Sequence, residues 1–414
     1  MLQRAHTRFD TDFALPDAQT PSDLKYTSVD LFSGAGGLSK GLQFGGFHSV
    51  AAVEYDAHAA KTFSQNFPST TVYDEDIREI DPKKLLSRSG LKVGALDLLA
   101  GGPPCQGFSL NAPSRSLDDP RNHLFMEFFR FAKVLKPKTI LIENVPGIVS
   151  LDQGSVVKSI YKLLSDIGYD TVHRILYAGH YGVPQMRFRT IFLATRKNKP
   201  KIHPPQPTHN STARANFGGA KELCFHLSPL LDAHLLNQTT VWDAISDLPS
   251  IDQNMRVDDL SYNQPTTEYQ RYAQLGSSSV KNHYCSKIGK ANQARLVHMP
   301  QGGSWRDIPH DLLPAGLQRA RRSDHTKRYG RLDPNGLAST ILTKCDPHWG
   351  TFFHPKQDRI ISVREAARLQ SFPDNFTFLG TLTEQYRQVG NAVPPLLAFA
   401  IATAITEHLE AEYG

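Results

Sequence analysis

Short apolar strands alternate with helices along residues 26–196, and this rhythm constrains the fold more than any other feature of the chain. A glycine turn after the first strand opens a helix, and later helices are predicted at 125–136 and 156–168. Strands are predicted at 27–32, 48–54, 69–76, 95–104, 138–145, 169–178 and 190–195. Buried strands that alternate with helices predict an open, mostly parallel α/β sheet.

The rhythm stops after Lys197, where a proline-rich linker leads into more than a hundred irregular, polar residues. Residues 197–331 contain 18 lysines and arginines against 11 aspartates and glutamates, although the net charge of the whole chain is only +6. The basic excess therefore belongs to this segment alone. By charge it is either a solvated, loop-rich insertion or a surface that neutralises phosphates.

Helical periodicity returns near the C-terminus. Ser362 and Glu365 have the spacing of a capping box at the start of a helix within 362–372. The tail, 388–409, consists of a glycine turn, a proline pair and a long apolar helix, which we expect to return and pack on the first sheet. The chain is thus predicted to be one domain interrupted by a second, basic domain.

The remaining composition excludes several classes of protein. The four cysteines are far apart and form no CxxC or CxxH pair, so we expect neither a disulfide framework nor a metal site. The apolar run Leu396–Thr406 is too short to span a bilayer, and the N-terminus lacks the apolar core of a signal peptide. We therefore predict a cytoplasmic protein that does not insert into a membrane.

Three successive strand ends carry residues suited to a nucleoside-containing cofactor, and ligands of open α/β sheets bind at this edge. The turn Phe32–Gly37 after the first strand permits close approach of a ligand to a helix N-terminus. Glu54, after the second strand, suits a pair of ribose hydroxyls. Asp76, after the third strand, could accept a hydrogen bond from an adenine amino group. A nicotinamide cofactor and S-adenosylmethionine both remain open at this point.

The next two strand ends add a thiol and a carboxylate to the same edge. Cys105 follows two prolines and precedes a glycine-rich loop. An isolated cysteine is commonly a small buried hydrophobe, but packing in a core is less natural in such a loop. Glu143 ends the apolar strand 138–145, so we expect its carboxylate to be partly desolvated. A nucleophile and an acid beside a methyl donor indicate methyl transfer.

The sequence QMRFR, residues 185–189, alternates polar and apolar side chains. As a strand it places Gln185, Arg187 and Arg189 on one face and Met186 and Phe188 on the other. The two arginines would either bind a phosphate or an oxygen of a planar ligand, or be solvated on an edge strand.

The motifs FSGAGG, GGPPCQGFS, ENV, QMRFR, REAARLQSFPD and QVGNAVPP occur in that order. This series resembles the motifs of the DNA (cytosine-5)-methyltransferases of bacterial restriction–modification systems, and the resemblance spans about 27–196 and 330–410. It implies a Rossmann-like, S-adenosylmethionine-dependent sheet with a smaller inserted domain. The family places a variable target-recognition domain between the QxRxR and REAARLQ motifs, which is where the basic excess lies.

The resemblance implies a role for each matching residue. Cys105 would attack C6 of a cytosine, and Glu143 would hydrogen-bond or protonate N3. Arg189 would contact the cytosine O2 and orient Glu143, while Arg187 would support the site. S-adenosylmethionine, which leaves as S-adenosylhomocysteine, would be held by Phe32, Gly34, Gly36, Glu54, Tyr55, Asp76, Leu124 and Asn391.

DNA contacts are implied for two regions. The loop 107–122 resembles the family's mobile loop that closes over a flipped cytosine, and it contains Ser109 and Arg121. The insertion contains a basic cluster for which phosphate contacts are favoured over base readout: Arg319, Arg321, Arg322, Lys327 and Arg328. The three tryptophans, Trp242, Trp305 and Trp349, are expected to pack in a core or at a hinge rather than to stack on bases.

The domain boundaries follow from the same resemblance. We predict a flexible extension over 1–25, a catalytic domain over 26–197, a target-recognition domain over 198–335, and a hinge with a C-terminal return over 336–414. The expected protein is a bacterial, cytoplasmic monomer that joins the nucleoid when it binds double-stranded DNA. A restriction endonuclease acting on the same site is a candidate partner.

Three rival functions are weighed against this interpretation. A tRNA cytosine-5 methyltransferase shares the chemistry but has a small insertion, so the long insertion here favours duplex DNA. An amino-methyltransferase needs an aromatic side chain where this chain has Cys105. A DNA-binding regulator without catalysis is opposed by the intact set of Cys105, Glu143, Arg187 and Arg189.

Overall fold

A seven-stranded sheet lies at the centre of the computed structural model, which describes residues 15–16, 24–104, 123–211, 235–253, 256, 258–324 and 327–414. Its strand order is β3-β2-β1-β4-β5-β8-β6. Neighbouring strands are parallel, except that β8 runs antiparallel to β5 and β6. The predicted α/β class with a mostly parallel sheet is therefore confirmed. The strands are β1 (Tyr26–Leu31), β2 (Phe47–Val53), β3 (Thr71–Tyr73), β4 (Leu98–Gly101), β5 (Thr139–Asn144), β6 (Tyr169–Tyr177), β7 (Gln185–Met186, outside this sheet) and β8 (Phe188–Arg196).

Helices cover both faces of the sheet, because the buried strands are apolar on both faces. In β4, Leu98 and Ala100 belong to one apolar cluster and Leu99 to the other. The helices of this part are α1 (Gly37–Phe44), α2 (Ala57–Asn66), α3 (Pro82–Arg88), α4 (His123–Leu135) and α5 (Ser155–Asp166). The predicted β3 is too long at its C-terminal end, because Asp76 instead caps a short 3-10 turn, Ile77–Glu79.

The segment after β8 consists of short elements joined by irregular chain. They are β9 (His209–Asn210), β10 (Leu236–Asn237), α6 (Val241–Ile245), α7 (Glu268–Gln274), α8 (Lys290–Leu296), α9 (Ala315–Gln318), β11 (Gly330–Arg331), β12 (Ala338–Ser339) and β13 (Thr351–Phe353). Residues between 285 and 360 form a third apolar cluster that includes Leu296, Trp305 and Tyr329. Part of this segment thus has a small core of its own.

The C-terminal segment contains α10 (Val363–Leu369), α11 (Leu382–Asn391) and α12 (Pro395–Tyr413). The predicted capping box is present: Glu365 N donates to Ser362 Oγ over 3.0 Å, and Ser362 N donates to Glu365 Oε2 over 2.7 Å. Helix α12 packs on α1 so closely that a Cβ added to Gly41 would lie 2.3 Å from Cβ of Ala398. The apolar tail therefore returns to the sheet, as expected.

The apolar C-terminal helix is longer than the run Leu396–Thr406 suggests. By length and composition it could cross a membrane, but 72% of its most apolar window is buried inside the protein. This burial is that of a core helix, which agrees with its contact with α1.

Candidate active site

A cavity of about 620 Å³ is lined by residues within 250–293 and 357–359, and a larger one of about 920 Å³ lies at the carboxyl edge of the sheet. The larger cavity is where β1, β2, β4 and β5 end, as the strand order of an open α/β sheet requires. Six of the predicted site residues line it: Phe32, Gly34, Glu54, Glu143, Arg189 and Asn391. The structure thus brings together residues that are more than 350 positions apart in the chain.

The glycine turn after β1 contains left-handed backbone that glycine, which has no Cβ, adopts without strain. Gly36 has φ +101°, and a Cβ there would lie 2.5 Å from the ring of Phe67. Gly34 has φ +56°, and no heavy atom lies within 4 Å of where its Cβ would be. The turn therefore closes against Phe67 on one side and leaves the backbone of Gly34 open to the cavity that it lines.

Glu54 holds this turn through its carboxylate. Its Oε2 accepts from the backbone N–H of Gly34 over 2.8 Å, and its Oε1 accepts from that of Asp56 over 2.8 Å. Burial raises the pKa of Glu54, and these two hydrogen bonds oppose the rise. Carboxylate lone pairs remain for further donors, so the side chain can bind a hydroxyl pair in the cavity.

Tyr55, Asp76 and Leu124, like Gly36, are not among the residues that line the cavity. Tyr55 is 76% exposed, and Leu124 packs partly on the second apolar cluster. Asp76 accepts from the guanidinium of Arg78, with 2.9 Å between Oδ1 and Nε, and this pairing lowers the pKa of Asp76 to about 2. Their assignment to the cofactor therefore stays a prediction.

Glu143 and Arg189 form an ion pair at the end of β5. Arg189 Nε lies 2.6 Å from Glu143 Oε1, and the two side chains are only 12% and 14% exposed. The antiparallel register of β5 and β8 pairs Glu143 with Ile191, which places Arg189 two residues along the same strand. Glu143 is thus partly desolvated, as expected, and its carboxylate is oriented by a guanidinium.

The loop that leads to Cys105 begins beside this pair. A Cβ on Gly102 would lie 2.9 Å from Glu143 Oε2, so the absence of a side chain there allows the close approach. Asn144 Nδ2 donates to Pro103 O over 2.9 Å and holds the proline pair at the cavity. Cys105 itself, with Ser109 and Arg121, lies outside the described residues.

The predicted continuous strand over QMRFR is wrong, because β7 and β8 are separated at Arg187. Arg187 is fully buried, and its Nη2 donates to Gly390 O and Ala392 O over 2.9 Å each, while Nη1 donates to Ile341 O. Burial lowers the pKa of Arg187. Arg187 therefore supports the backbone on which Asn391 lies, and it does not line the cavity beside Arg189.

Asp30 is a cavity residue that the sequence analysis misses. Its Oδ2 accepts from Ser39 Oγ over 2.6 Å, and its Oδ1 has no hydrogen-bond partner within the described chain. Burial raises the pKa of Asp30 to about 7. The available signal was a carboxylate between the apolar Val29 and Leu31 of β1, two residues before the glycine turn. Ser33 Oγ, also at the cavity, is likewise buried without a partner in the described part of the structure.

The predicted basic cluster lies between α9 and β11. Arg319, Arg321, Arg322 and Lys327 are exposed, whereas Arg328 is half-buried beneath the indole of Trp349. Trp305 is buried and Trp242 is half-buried, as expected. Trp349, in contrast, does not pack in a core, because it is 54% exposed.

Comparisons with known proteins agree on one family. A family model described as C-5 cytosine-specific DNA methylase matches residues 26–407. Type II methyltransferase M.AgeI of Thalassovita gelatinovora is 33% identical, over 91% of this chain and 98% of the relative. Type II methyltransferase M1.HphI of Haemophilus parahaemolyticus is 34% identical, over 92% and 87%. DNA (cytosine-5)-methyltransferase 3 of Arabidopsis thaliana is 32% identical, but this chain spans only 32% of its length.

Solved structures show the same similarity. A prophage-encoded E. coli protein described as a DNA modification methyltransferase superposes with a TM-score of 0.69 at 28% identity, over 93% of this chain and 100% of the other. Spodoptera frugiperda DNMT2 superposes with a TM-score of 0.59 at 15% identity, over 92% and 100%. The second likeness concerns the fold alone.

Proposed function

Because this chain belongs to the C-5 cytosine-specific DNA methylase family and is a DNA (cytosine-5)-methyltransferase, we propose that it methylates C5 of one cytosine within a specific sequence of double-stranded DNA. The observation that carries the proposal is the Glu143–Arg189 ion pair, which lies in the same cavity as the glycine turn and beside the loop that leads to Cys105. The similarity to bacterial Type II methyltransferases supports a restriction–modification role, with a companion endonuclease for the same site.

The residues of the cavity fit S-adenosylmethionine. Two buried polar atoms without partners in the described chain, Asp30 Oδ1 and Ser33 Oγ, are available to a ligand with hydrogen-bond donors, and Asp30 suits an α-ammonium group. Glu54 would accept from ribose hydroxyls, and Phe32, Gly34, Gly36 and Asn391 would surround the rest. When bound, S-adenosylmethionine supplies a methyl group activated by its sulfonium.

Cytosine C5 is too electron-poor to attack such a methyl group directly. The Cys105 thiolate would form a bond to C6, which makes C5 nucleophilic, while Glu143 protonates N3 and neutralises the developing charge. Arg189 orients Glu143 and would contact O2. After methyl transfer, loss of the C5 proton to a base breaks the Cys105–C6 bond and releases the product. Arg187 positions the segment 390–392 at the cavity.

The target carbon is inaccessible inside a duplex, so the cytosine must be flipped out of the stack. We assign closure over the flipped base to the loop with Ser109 and Arg121, and phosphate contacts to the basic cluster of 319–328. The domain boundaries at 26–197, 198–335 and 336–414, the cytoplasmic location and the monomeric state belong to the same proposal. The predicted extension over 1–25 lies largely outside the described residues.

The tRNA alternative is not favoured. Relatives that are 32–34% identical over more than 90% of this chain are named Type II methyltransferase or DNA (cytosine-5)-methyltransferase. The likeness to DNMT2 structures at 15% and 16% identity concerns the fold only.

Bisulfite sequencing of plasmid DNA from cells that express the protein tests the proposal, with Cys105→Ala as the control. We expect protected cytosines confined to one short sequence, and none with the variant. Absence of protection, despite folded protein that binds S-adenosylmethionine, would contradict a duplex-DNA substrate.

A further inference from the structure

Trp349 is the exposed tryptophan among the residues that the structure describes, and none of the roles above uses it. Its side chain is 54% exposed, whereas Trp305 is 4% exposed. A large exposed aromatic side chain on a polar surface commonly marks a contact with a partner. The question is which partner the surroundings of Trp349 favour.

The turn that carries Trp349 is held rigidly. Trp349 N donates to Asp346 O over 2.9 Å, and Tyr329 N donates to Pro347 O over 2.7 Å. The imidazole of His348 packs edge-to-face on the indole at 4.8 Å, and its Nδ1 lies 3.1 Å from the hydroxyl of the buried Tyr329. The indole is therefore presented in one orientation, at little entropic cost for binding.

The indole of Trp349 lies against a basic side chain. The guanidinium of Arg328 lies 5.1 Å from the ring centroid of Trp349. Lys327, the residue before Arg328, is exposed, and its carbonyl accepts from Thr351 Oγ1 in the strand that follows Trp349. An exposed aromatic ring beside an arginine fits a polyanion whose monomers have flat faces, which is the chemistry of a nucleic acid.

The same strip of chain reaches the active-site cavity. Gly390 lines that cavity, and a Cβ on it would lie 2.3 Å from Leu342 O. Trp349 lies seven positions after Leu342, so their Cα atoms are at most about 25 Å apart. This is less than one turn of a DNA duplex, about 34 Å. The distance therefore permits a duplex whose target cytosine enters the cavity to contact Trp349 as well.

We propose that Trp349 is a DNA-binding residue whose indole stacks on a nucleobase that is unstacked only in the specific complex, where the target cytosine leaves the duplex. The inference rests on the proposed function, because it requires duplex DNA at the cavity. Arg328 and His348 act as positioning residues that keep the ring in place.

The test compares wild type, Trp349→Ala and Trp349→Phe, each with S-adenosylhomocysteine bound so that no turnover occurs. Fluorescence anisotropy measures their affinity for a duplex with the site found by bisulfite sequencing and for a duplex of scrambled sequence. Two control variants replace exposed residues within 198–335. Arg321→Ala tests a phosphate contact, and Val297→Ala removes an apolar side chain that is 71% exposed. Thermal melting and S-adenosylhomocysteine affinity verify that each variant is folded.

We expect Trp349→Ala to bind the specific duplex roughly 5- to 150-fold more weakly, with a smaller loss on the scrambled duplex. Trp349→Phe should recover much of the affinity, because a phenyl ring also stacks. Arg321→Ala should weaken both duplexes alike, and Val297→Ala neither. DNA should quench tryptophan fluorescence in the wild type but much less in Trp349→Phe.

Two results would overturn the inference while leaving the proposed function intact: unchanged specific affinity in folded Trp349→Ala, or an equal loss on both duplexes. If the wild type neither protects nor binds any duplex, the proposed function fails and the inference fails with it.

Discussion

Replacement of Asp30 by asparagine should stabilise the ligand-free protein and lower its affinity for the cofactor. Asp30 is fully buried, accepts one hydrogen bond from Ser39 and has no cationic partner among the described residues. Glu54 and Glu143 add repulsion to the desolvation of its charge. An ionised carboxylate in such a place destabilises the fold unless a ligand pairs with it.

The magnitude follows from the pKa. Burial raises the pKa of Asp30 from 3.8 to about 7, a difference of roughly 3 units or about 4 kcal/mol. Because the folded state binds the proton more tightly, this contribution to stability is present below pH 4 and is lost as the pH rises to 7. The amide of the Asp30→Asn variant does not titrate. The stability advantage of this variant over the wild type should therefore grow from near zero at about pH 4 to at most about 4 kcal/mol at about pH 8.

Urea unfolding of the ligand-free protein, followed by circular dichroism between pH 5 and 8.5, measures this difference. Asp374→Asn is the matched control, because Asp374 is equally buried but lies beside Arg364 and Arg368, which lower its pKa. Loss of its charge should destabilise the protein. The reasoning would be refuted if the difference in unfolding free energy between Asp30→Asn and the wild type did not change with pH, or if the variant were less stable than the wild type at pH 8.

Calorimetry tests the cofactor side of the same reasoning. If Asp30 Oδ1 pairs with the α-ammonium, the variant should bind S-adenosylhomocysteine roughly 10- to 100-fold more weakly, the effect of one lost charge-assisted hydrogen bond. 5′-Methylthioadenosine lacks the amino acid part and should bind both proteins alike. An equal loss for both ligands would show that the substitution distorts the pocket instead.

Two further predictions concern the ion pairs. Glu143→Gln should lower the methyl-transfer rate about 10²- to 10⁴-fold in single-turnover assays, because an amide cannot protonate N3. The affinity for DNA should persist. A decrease in the methyl-transfer rate of less than tenfold would contradict this role of Glu143. Arg368→Ala should cost about 3–5 kcal/mol of unfolding free energy in urea, since Asp247 and Asp374 would be left buried without their shared cation. A cost under 1 kcal/mol would show that these carboxylates find other partners.

The parts of the molecule that are predictable from sequence are those set by local periodicity and capping. The short, continuously buried strands β4 and β5 and the capping box of Ser362 are set by neighbouring residues alone, so the sequence pattern identifies them. The Glu143–Arg189 juxtaposition also follows, because both residues stand at the same edge of the sheet. What a period-two pattern cannot show is that Arg187 leaves the strand to reach three carbonyl groups 154–205 residues away.

Asp30 and Trp349 are misjudged from the sequence for the same physical reason: whether each side chain is buried depends on residues that are distant in the sequence. Asp30 is a polar residue in a strand, and only the packing of α1 over it makes its carboxylate a buried, half-partnered group. Trp349 has a large apolar side chain of the kind that usually packs in a core. Its turn is instead held at the surface by hydrogen bonds from Tyr329 N and Gly330 N, and its indole is exposed.

The active-site cavity depends on the C-terminal return in a way that the order of motifs does not reveal. A Cβ on Gly37 would lie 2.5 Å from Val393 O, so the glycine turn and the segment after α11 are in direct contact where both line the cavity. Arg187 joins the same segment to Ile341. The parts of the chain before residue 197 and after residue 331 therefore contact each other at the cavity. This arrangement explains how the more than one hundred residues between β8 and the C-terminal segment are accommodated without displacing Glu143, Arg189 or the glycine turn.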